Sequence, residues 1–158
     1  MSKRVLHVLS QRPGRTGSGV TLDAFVRGAA NSGWDQHVVV GTPAEEPVPG
    51  VGELPAERIH PLVFNTGQLD FPLPGMSDVM PYASSRFSSL TPTQLITYRS
   101  EWKKHLAGVI ASTKPDLIHS HHLWIVRSLL KEISPNIPVV TSSHATVLRA
   151  YQPCPHPR

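Results

Sequence analysis

The sequence lacks the features of an exported or membrane-spanning protein. Cys154 is the only cysteine, so no internal disulfide can form, and this usage is typical of a reducing cytosol. The apolar run Val5 to Leu9 is interrupted by His7 and is too short for a signal peptide. No stretch approaches the ~20 apolar residues of a membrane helix. These absences predict a soluble, cytoplasmic chain that at most makes peripheral contact with a membrane-held substrate.

The sequence also lacks any run of like charge. The formal net charge at pH 7 is +4, from 15 Lys and Arg against 11 Asp and Glu, and the basic residues are spread along the chain. A nucleic-acid-binding surface usually needs clustered Lys and Arg. The charge pattern therefore disfavours a nucleic-acid partner and favours an anionic small ligand.

Several common catalytic motifs are absent. Residues Gly14 to Gly19 have the spacing of a P-loop, but Val20 stands where its lysine is required. The order of glycines is not that of the dinucleotide fingerprint, and Val40-Gly41-Thr42 offers no acid for a ribose hydroxyl. No G-x-S-x-G elbow is present, Cys154 has only His156 nearby, and paired acids are missing at Ser10-Gln11-Arg12. P-loop, nicotinamide, α/β-hydrolase, Cys–His and response-regulator chemistries are thus disfavoured.

The hydrophobic pattern that is present predicts alternating strands and helices. Predicted strands cover residues 4–9, 36–41, 58–64, 116–120 and 137–142, and predicted helices begin at Val20, Thr91 and Trp124. Pro61 predicts that strand 58–64 lies at a sheet edge. The 158 residues are the length of one domain. We expect an α/β fold over 1–158: a Rossmann-like, doubly wound, mostly parallel sheet with helices on both faces.

Local signals set the expected helix ends and faces. Thr91, Pro92 and Gln94 form a capping box with proline at the first helical position, and Lys114-Pro115 ends that helix. Asn31-Ser32-Gly33 is the predicted stop of the first helix. The predicted apolar positions are Leu22, Phe25, Val26, Ala29 and Ala30 in the first helix, and Leu95, Tyr98, Trp102, Leu106, Val109 and Ile110 in the second.

Two long segments have no periodic pattern. Residues 43–57 are rich in Pro, Gly and Glu, and residues 65–90 contain scattered prolines and a Ser-rich stretch. Long irregular segments within a compact domain usually carry function or are mobile.

Three features follow strands and are expected at the ligand-binding edge of the sheet. The first is the glycine loop, which either only makes a turn or brings a helix N-terminus to a phosphate. The second is His119-Ser120-His121-His122, where alternation places His119 and His121 on one face. The third is His144. No cysteine or carboxylate with metal spacing accompanies these histidines, so we expect no metal, and both structural hydrogen bonding and ligand contact remain open.

Three motifs in order resemble the N-terminal domain of the group 1, family 4 retaining glycosyltransferases, which have the two-domain GT-B fold. They are Thr16-Gly17-Ser18-Gly19-Val20, Pro115-Asp116-Leu117-Ile118-His119-Ser120-His121-His122, and Pro138-Val139-Val140-Thr141-Ser142-Ser143-His144. The resemblance covers essentially the entire chain, and the P-D-apolar-apolar-H-x-H segment is the most specific of the three.

This resemblance implies roles for single residues. Gly17, Ser18 and Gly19 would face the diphosphate of a nucleotide-sugar donor, with Thr16 beside them, and His121 would lie next to the transferred sugar as the catalytic residue. The resemblance also implies that His144, His119 and Thr16 bind substrate. It further implies that segment 65–90, with Tyr82 and Arg86, sets acceptor specificity, and that no cofactor or metal is needed.

The sequence also departs from this family. Its E-x-x-x-x-x-x-x-E segment and basic pair, which belong to a C-terminal donor-binding domain, are absent, and the loop has Gly-Ser-Gly where many members have adjacent glycines. We therefore expect half of a GT-B fold, inactive by itself, whose full-length form transfers a sugar with retention to a sugar, lipid-linked or small-molecule acceptor. The alternative is a non-catalytic, Rossmann-like module that binds a phosphorylated or sugar ligand.

Overall fold

A computed structural model describes residues 2–77 and 79–144 of the chain. Within them, the strands and helices follow one another in the order β1-α1-β2-β3-β4-β5-α2-β6-α3-β7, and two 3₁₀ turns lie at Ala56–Arg58 and Phe87–Ser89. The strands are Arg4–Leu9, Asp35–Pro43, Ile59–Phe64, Pro74–Gly75, Ser85–Arg86, Leu117–His121 and Val139–Ser142; the helices are Gly17–Gly28, Pro92–Thr113 and Ile125–Ile133. No helix in this part of the chain is long and apolar enough to cross a bilayer.

The described strands form one parallel sheet in the order β3-β2-β1-β6-β7, with β4 and β5 paired separately. All pairings in the large sheet are parallel, and β3 is at its edge, as Pro61 predicts. The chain leaves β1 toward β2 and later returns to β1's other side with β6. This reversal of strand order is the place where open α/β sheets bind ligands. The predicted α/β, Rossmann-like fold class is confirmed.

One face of the sheet is covered by α2 and α3. Helix α2 begins as its sequence predicts: Thr91 accepts from the Gln94 N–H at 3.1 Å, and the Gln94 side chain accepts from the Thr91 N–H at 2.9 Å. It ends at Lys114, whose φ is +49°. Tyr98, Trp102 and Leu106 are fully buried against the sheet. We call this side the α2 face, and it holds the larger apolar core.

Segment 65–90 contributes to that core. Apart from the two-residue strands β4 and β5 and one 3₁₀ turn, its described part has no regular structure, as predicted. Seven of its apolar side chains are nevertheless buried: Leu69, Phe71, Leu73, Met76, Tyr82, Phe87 and Leu90. The segment is thus anchored by burial along its length, and its path is fixed by packing that local sequence patterns do not encode.

The opposite side, which we call the α1 face, has a smaller apolar core of Leu9, Leu22, Val26, Val38, Val40, Val51 and Ile59. Here two predictions are wrong. Helix α1 ends at Gly28 with Ala29 as its cap, before 31–33, although Gly33 does take a positive φ of 79°. Phe25, predicted to face the core, is 47% exposed. It extends past the β1–β2 surface that α1 covers and reaches histidines of β6 instead.

Candidate functional site

A pocket lies where β1, β6 and β7 end, and we call it the strand-end pocket. Its volume is about 280 Å³. Loops that follow these strands meet segment 65–90 there, because the carboxyl ends of parallel strands lie at the same edge of the sheet. The lining residues come from the β1–α1 connection, from segment 65–90 and from the residues after β6 and β7: Gln11, Arg15, Thr16, Gly17, Ser18, Met76, Ser77, Val79, Met80, Pro81, His122 and His144.

The first turn of α1 presents backbone N–H groups to this pocket. Thr16 is the N-cap, and its hydroxyl oxygen accepts from the Gly19 N–H at 3.1 Å. The N–H groups of Gly17 and Ser18 precede the first i→i−4 bond, which the Val20 N–H makes to the Thr16 carbonyl. The Ser18 hydroxyl donates to the Gln11 side-chain oxygen at 3.0 Å, which fixes the loop against the helix. Such a helix start attracts an anion through its N–H groups and dipole.

The two glycines of this turn differ in how much space surrounds them. A Cβ at Gly19 would lie 2.6 Å from the backbone nitrogen of Gly14 and 3.1 Å from two backbone atoms of Pro13. A Cβ at Gly17 would meet no atom within 4 Å. The fold therefore requires glycine at position 19, where two backbone segments touch, but not at 17. Gly17 leaves open space at the pocket wall that a ligand's atoms could use.

Basic side chains lie beside the same helix start. Arg15, which lines the pocket, is half exposed and lies 3.6 Å from a Glu46 carboxylate oxygen. Arg12 is buried and pairs with the other Glu46 oxygen at 2.6 Å. One carboxylate therefore faces two guanidinium groups, which leaves a net positive charge near the α1 N-terminus. This charge favours an anionic ligand.

His122 and His144 also line the strand-end pocket. Strand β6 ends at His121, and His122 then takes a positive φ of 85°, unusual for a residue that is not glycine. This turn directs its ring to His144, and the two ring centroids lie 4.7 Å apart. Both ring nitrogens of His122 and Nε2 of His144 are buried without a hydrogen-bond partner in the described part of the chain. Unsatisfied buried polar atoms in a pocket are typical of sites that bind a polar ligand.

Burial keeps these two imidazoles neutral at pH 7. It lowers the pKa of His122 to about 4, with a further contribution from His144, and it lowers the pKa of His144 as well. A neutral imidazole has one donor and one acceptor nitrogen. The pair can therefore exchange hydrogen bonds with hydroxyl groups in either direction.

A second histidine group lies on the α1 face. His7 of β1 is in register with His119 of β6, and His121 follows two residues later on the same face, as alternation predicts. The ring centroids of His119 and His121 are 4.4 Å apart, and the Phe25 ring lies edge-on 4.9 Å from His119. One ring nitrogen from each of His7, His119 and His121 lies within 4.8 Å of the other two. We call these three residues the histidine triplet.

The predicted site residues therefore separate into two places. Thr16, Gly17, Ser18 and His144 line the strand-end pocket. Gly19 allows close packing of the loop, because its Cα lies against the Pro13–Gly14 backbone with no room for a Cβ. His119 and His121 belong to the histidine triplet, and neither is among the pocket's lining residues. A sugar-contacting, catalytic role for His121 stays a prediction.

Sequence reasoning missed His122 and Arg15 as lining residues. The positive φ that turns His122 into the pocket depends on where β6 ends. His119, His121 and His122 are all histidines in one short segment, so the sequence does not indicate which of them enters the pocket. Of the two residues expected to set acceptor specificity, Tyr82 is buried and Arg86 is exposed. The pocket wall instead takes Met76, Met80 and Pro81 from that segment.

This chain resembles known proteins in its fold. No protein-family model and no curated protein sequence matches the chain. Among solved structures, sucrose-phosphate synthase from Thermosynechococcus elongatus matches with a TM-score of 0.56 at 13% identity, over 95% of this chain and 35% of that one. A UDP-GlcNAc 2-epimerase from Neisseria meningitidis, bound to UDP-GlcNAc, matches with a TM-score of 0.52 at 15% identity, over 96% and 36%.

At these identities the likeness concerns the fold. The chain has the Rossmann-like α/β fold of a GT-B-type domain, as these neighbours do, and it spans about a third of the length of each of them.

Proposed function

We propose that this chain is the N-terminal, acceptor-side domain of a GT-B glycosyltransferase and that its strand-end pocket receives the diphosphate and sugar of a nucleotide-sugar donor. The observation that carries this proposal is the α1 N-terminus: the open space at Gly17 lies beside uncapped N–H groups and within a basic surrounding. A turn that only connects β1 to α1 has no need of glycine at position 17.

In this proposal the Gly17 and Ser18 N–H groups donate to the diphosphate, and Arg15 adds a positive charge. As the bond between the sugar's anomeric carbon and the diphosphate oxygen breaks, an acceptor hydroxyl oxygen forms the new bond to that carbon. The hydroxyl proton passes to the departing diphosphate, and the nucleoside diphosphate leaves. The amides stabilise the charge that develops on this leaving group, and they are already oriented for it. The resemblance to family 4 adds retention of configuration to the proposal.

The sugar would lie toward His122 and His144, whose unpartnered, neutral ring nitrogens suit its hydroxyl groups. His121, which the family resemblance places beside the transferred sugar, is the adjacent residue, and its ring centroid is 6.0 Å from that of His144. We propose His122 and His144 as the direct contacts and keep His121 as the alternative.

The structural neighbours support the substrate class. The epimerase binds the nucleotide-sugar UDP-GlcNAc, and the synthase is named for a sugar-phosphate product. Because this chain spans about a third of each neighbour, we propose that the donor's base and ribose are held by a further domain across the cleft. The acceptor would enter past Met76 and Met80 of segment 65–90.

The proposal is tested by titrating the chain with UDP, UDP-GlcNAc and inorganic pyrophosphate while recording backbone amide shifts by NMR. We expect the Gly17 and Ser18 amides to shift. Gly17→Ala should keep the fold, since its Cβ meets no atom within 4 Å, but should weaken binding by about 10-fold or more because the methyl group occupies the ligand's space. Gly108→Ala, in α2, is the matched control, since its Cβ also meets nothing.

Binding of these probes away from the α1 N-terminus, or equal binding by Gly17→Ala and the wild type, would contradict the proposal. Sugar transfer is then assayed with the chain extended through any reading frame that follows Arg158. Transfer by the extended protein supports a glycosyltransferase, whereas tight probe binding without transfer in any form supports a non-catalytic binding module. In the active form, loss of turnover in His122→Ala but not in His121→Ala would assign the sugar contact to His122.

A further inference from the structure

We infer that His7, His119 and His121 form a binding site for one divalent transition-metal ion, with Zn²⁺ as the best-suited ion. This site is on the α1 face of the sheet, whereas the proposed function uses the strand-end pocket; the two proposals share only His121, the alternative sugar contact.

The first argument is the geometry of the triplet. The Nδ1 atoms of His7 and His119 are 3.2 Å apart, a distance at which one ring donates an N–H···N hydrogen bond to the other when no metal is bound. Two nitrogens bound to one tetrahedral Zn²⁺ at ~2.0–2.1 Å are separated by about 3.3 Å, so these two rings already stand at the spacing of a shared metal. The register of β1 and β6 sets this spacing, because His7 and His119 are directly paired residues of neighbouring parallel strands.

The second argument is the outer hydrogen bonding of two rings. The Gln36 amide nitrogen donates to the Val26 carbonyl at 3.0 Å, which turns the Gln36 side-chain oxygen toward His7 Nε2 at 3.2 Å. That oxygen can only accept, so His7 Nε2 carries the proton and Nδ1 has its lone pair free. His119 Nε2 lies 2.8 Å from the Ser142 hydroxyl, whose oxygen can accept a hydrogen bond from the His119 Nε2–H in the same way. Metal-binding histidines usually donate their other N–H to such a partner.

The third argument is His121. Its side chain is 2% exposed, and neither ring nitrogen has a hydrogen-bond partner among the described residues. A buried imidazole without partners costs free energy, which a metal bond would offset. Since no hydrogen bond holds the ring, it can rotate the short distance that brings its nitrogen, now within 4.8 Å of the other two, to a shared ion.

The fourth argument is protonation and access. Burial lowers the pKa of His7 to about 4 and that of His121 to about 3, with neighbouring histidines adding to the effect, so both rings are neutral at pH 7 and ready to bind a cation. A cleft of about 330 Å³, lined by Phe25, Trp34, Leu117 and Val140 among others, opens over His7 and His119. It provides an entry path and space for a water molecule as fourth ligand.

The ligand set favours an ion that binds imidazole. The triplet contains only histidines and no carboxylate, so hard cations such as Mg²⁺ and Ca²⁺, which need oxygen ligands, are disfavoured. Three neutral imidazoles and one open position are a donor set that proteins use for Zn²⁺.

The test uses the 158-residue chain without a polyhistidine tag, stripped with EDTA and then titrated with Zn²⁺ and with Co²⁺. We expect one Zn²⁺ per chain, a higher thermal unfolding midpoint with Zn²⁺, and visible absorption of Co²⁺ typical of four-coordinate nitrogen and oxygen ligation. His119→Gln and His7→Gln should each lower Zn²⁺ affinity by at least about 10-fold. His37→Gln is the matched control: His37 and His60 have ring nitrogens 3.1 Å apart, but they belong to no group of three metal-ligating side chains among the described residues.

A readout that needs no substitution guards against variants that fail to fold. In the wild type, ¹H–¹⁵N spectra of the imidazoles should show that Zn²⁺ shifts the rings of His7, His119 and His121 and leaves those of His37 and His60 unchanged. Absence of stoichiometric Zn²⁺ binding, or shifts confined to other histidines, would overturn the inference. Because nucleotide-sugar binding is measured separately at Gly17 and Ser18, failure of one proposal leaves the other standing.

Discussion

The two faces of the sheet are made by the same strands but bury different kinds of side chain. On the α2 face, Tyr98, Trp102 and Leu106 close an apolar core over Leu6, Val8 and Ile118. On the α1 face, the apolar core is confined to the region under α1, and β1 and β6 present histidines beyond it. The α2 face therefore contributes more apolar burial to stability than the α1 face, since neutral, partly unsatisfied imidazoles contribute little to folding.

The largest effect should come from removing a core side chain on the α2 face. Leu106 is fully buried, and Leu106→Ala should lower the free energy of unfolding by about 2–5 kcal/mol through lost burial and a cavity. Phe25→Ala on the α1 face is the matched change, and it should cost less than about 1 kcal/mol because Phe25 is half exposed. Urea unfolding monitored by circular dichroism measures both. Equal losses would show that the two faces contribute equally to stability.

A smaller effect is expected at the start of α1, where the backbone is close-packed. Gly19→Ala forces a methyl group against the Gly14 and Pro13 backbone and should cost about 1–3 kcal/mol. Gly28→Ala, at the end of the same helix, meets no atom and should be neutral or stabilising by up to about 1 kcal/mol. Unfolding midpoints of the two variants separate a glycine that close backbone packing requires from one that it does not require. A stable Gly19→Ala protein would show that this loop contact is not required.

The histidines should make stability depend on pH. The pKa of His121 is about 3 in the folded protein against 6.5 for an ordinary histidine, and burial is the main cause. The unfolded chain therefore binds a proton below pH 6.5 that the folded chain does not, so stability that is complete above pH 6.5 is lost as pH falls. Between about pH 6.5 and 5, His121 should remove up to about 2 kcal/mol.

Urea unfolding across this pH range, with EDTA present, measures the slope. His121→Phe keeps a ring of similar shape without a titrating group, so the decline in stability below about pH 6.5 should become shallower. An unchanged slope in His121→Phe would indicate that His121 is not buried as a neutral group on the α1 face.

The smallest expected effects are at the two helix caps. Thr16 and Thr91 each accept a backbone N–H three residues on, at 3.1 Å in both cases. Thr16→Ala and Thr91→Ala should each cost about 1 kcal/mol of stability. In the UDP-GlcNAc titration, however, only Thr16→Ala should weaken binding, because Thr16 positions the N–H groups of the strand-end pocket. Equal effects of both variants on binding would remove the functional difference between the two helices.

Much of the fold was predictable because its signals are local. The capping box Thr91-Pro92-Gln94 specifies the start of α2 with residues adjacent in sequence, and the apolar run of β1 specifies a buried strand. The predictions failed where the burial of a side chain depends on which other elements pack against its helix. The apolar spacing of α1 includes Phe25, but its burial depends on how far the helix extends over β6, which spacing does not report.

The candidate site was predictable in part. Glycines after β1 and histidines after β6 mark the ligand-binding edge of a parallel sheet, and the structure brings Thr16, Gly17, Ser18 and His144 to one pocket there. His122 lines the pocket, and its neighbours do not, because the backbone turns at His122, whose φ is 85°. That turn depends on where β6 stops pairing with β7. Nothing in the sequence around His7 or His119 indicates that the two residues are in contact.

The sequence by itself determined the alternation of strands and helices, the parallel sheet and the edge that carries the glycine loop, since these follow from residues near one another in the chain. Only the tertiary structure decided which side chains meet. His7 and His119 are 112 residues apart in sequence, and they contact each other because β6 pairs with β1 in one particular register. Register is set by burial of whole faces, so a cluster of histidines can arise without any local motif.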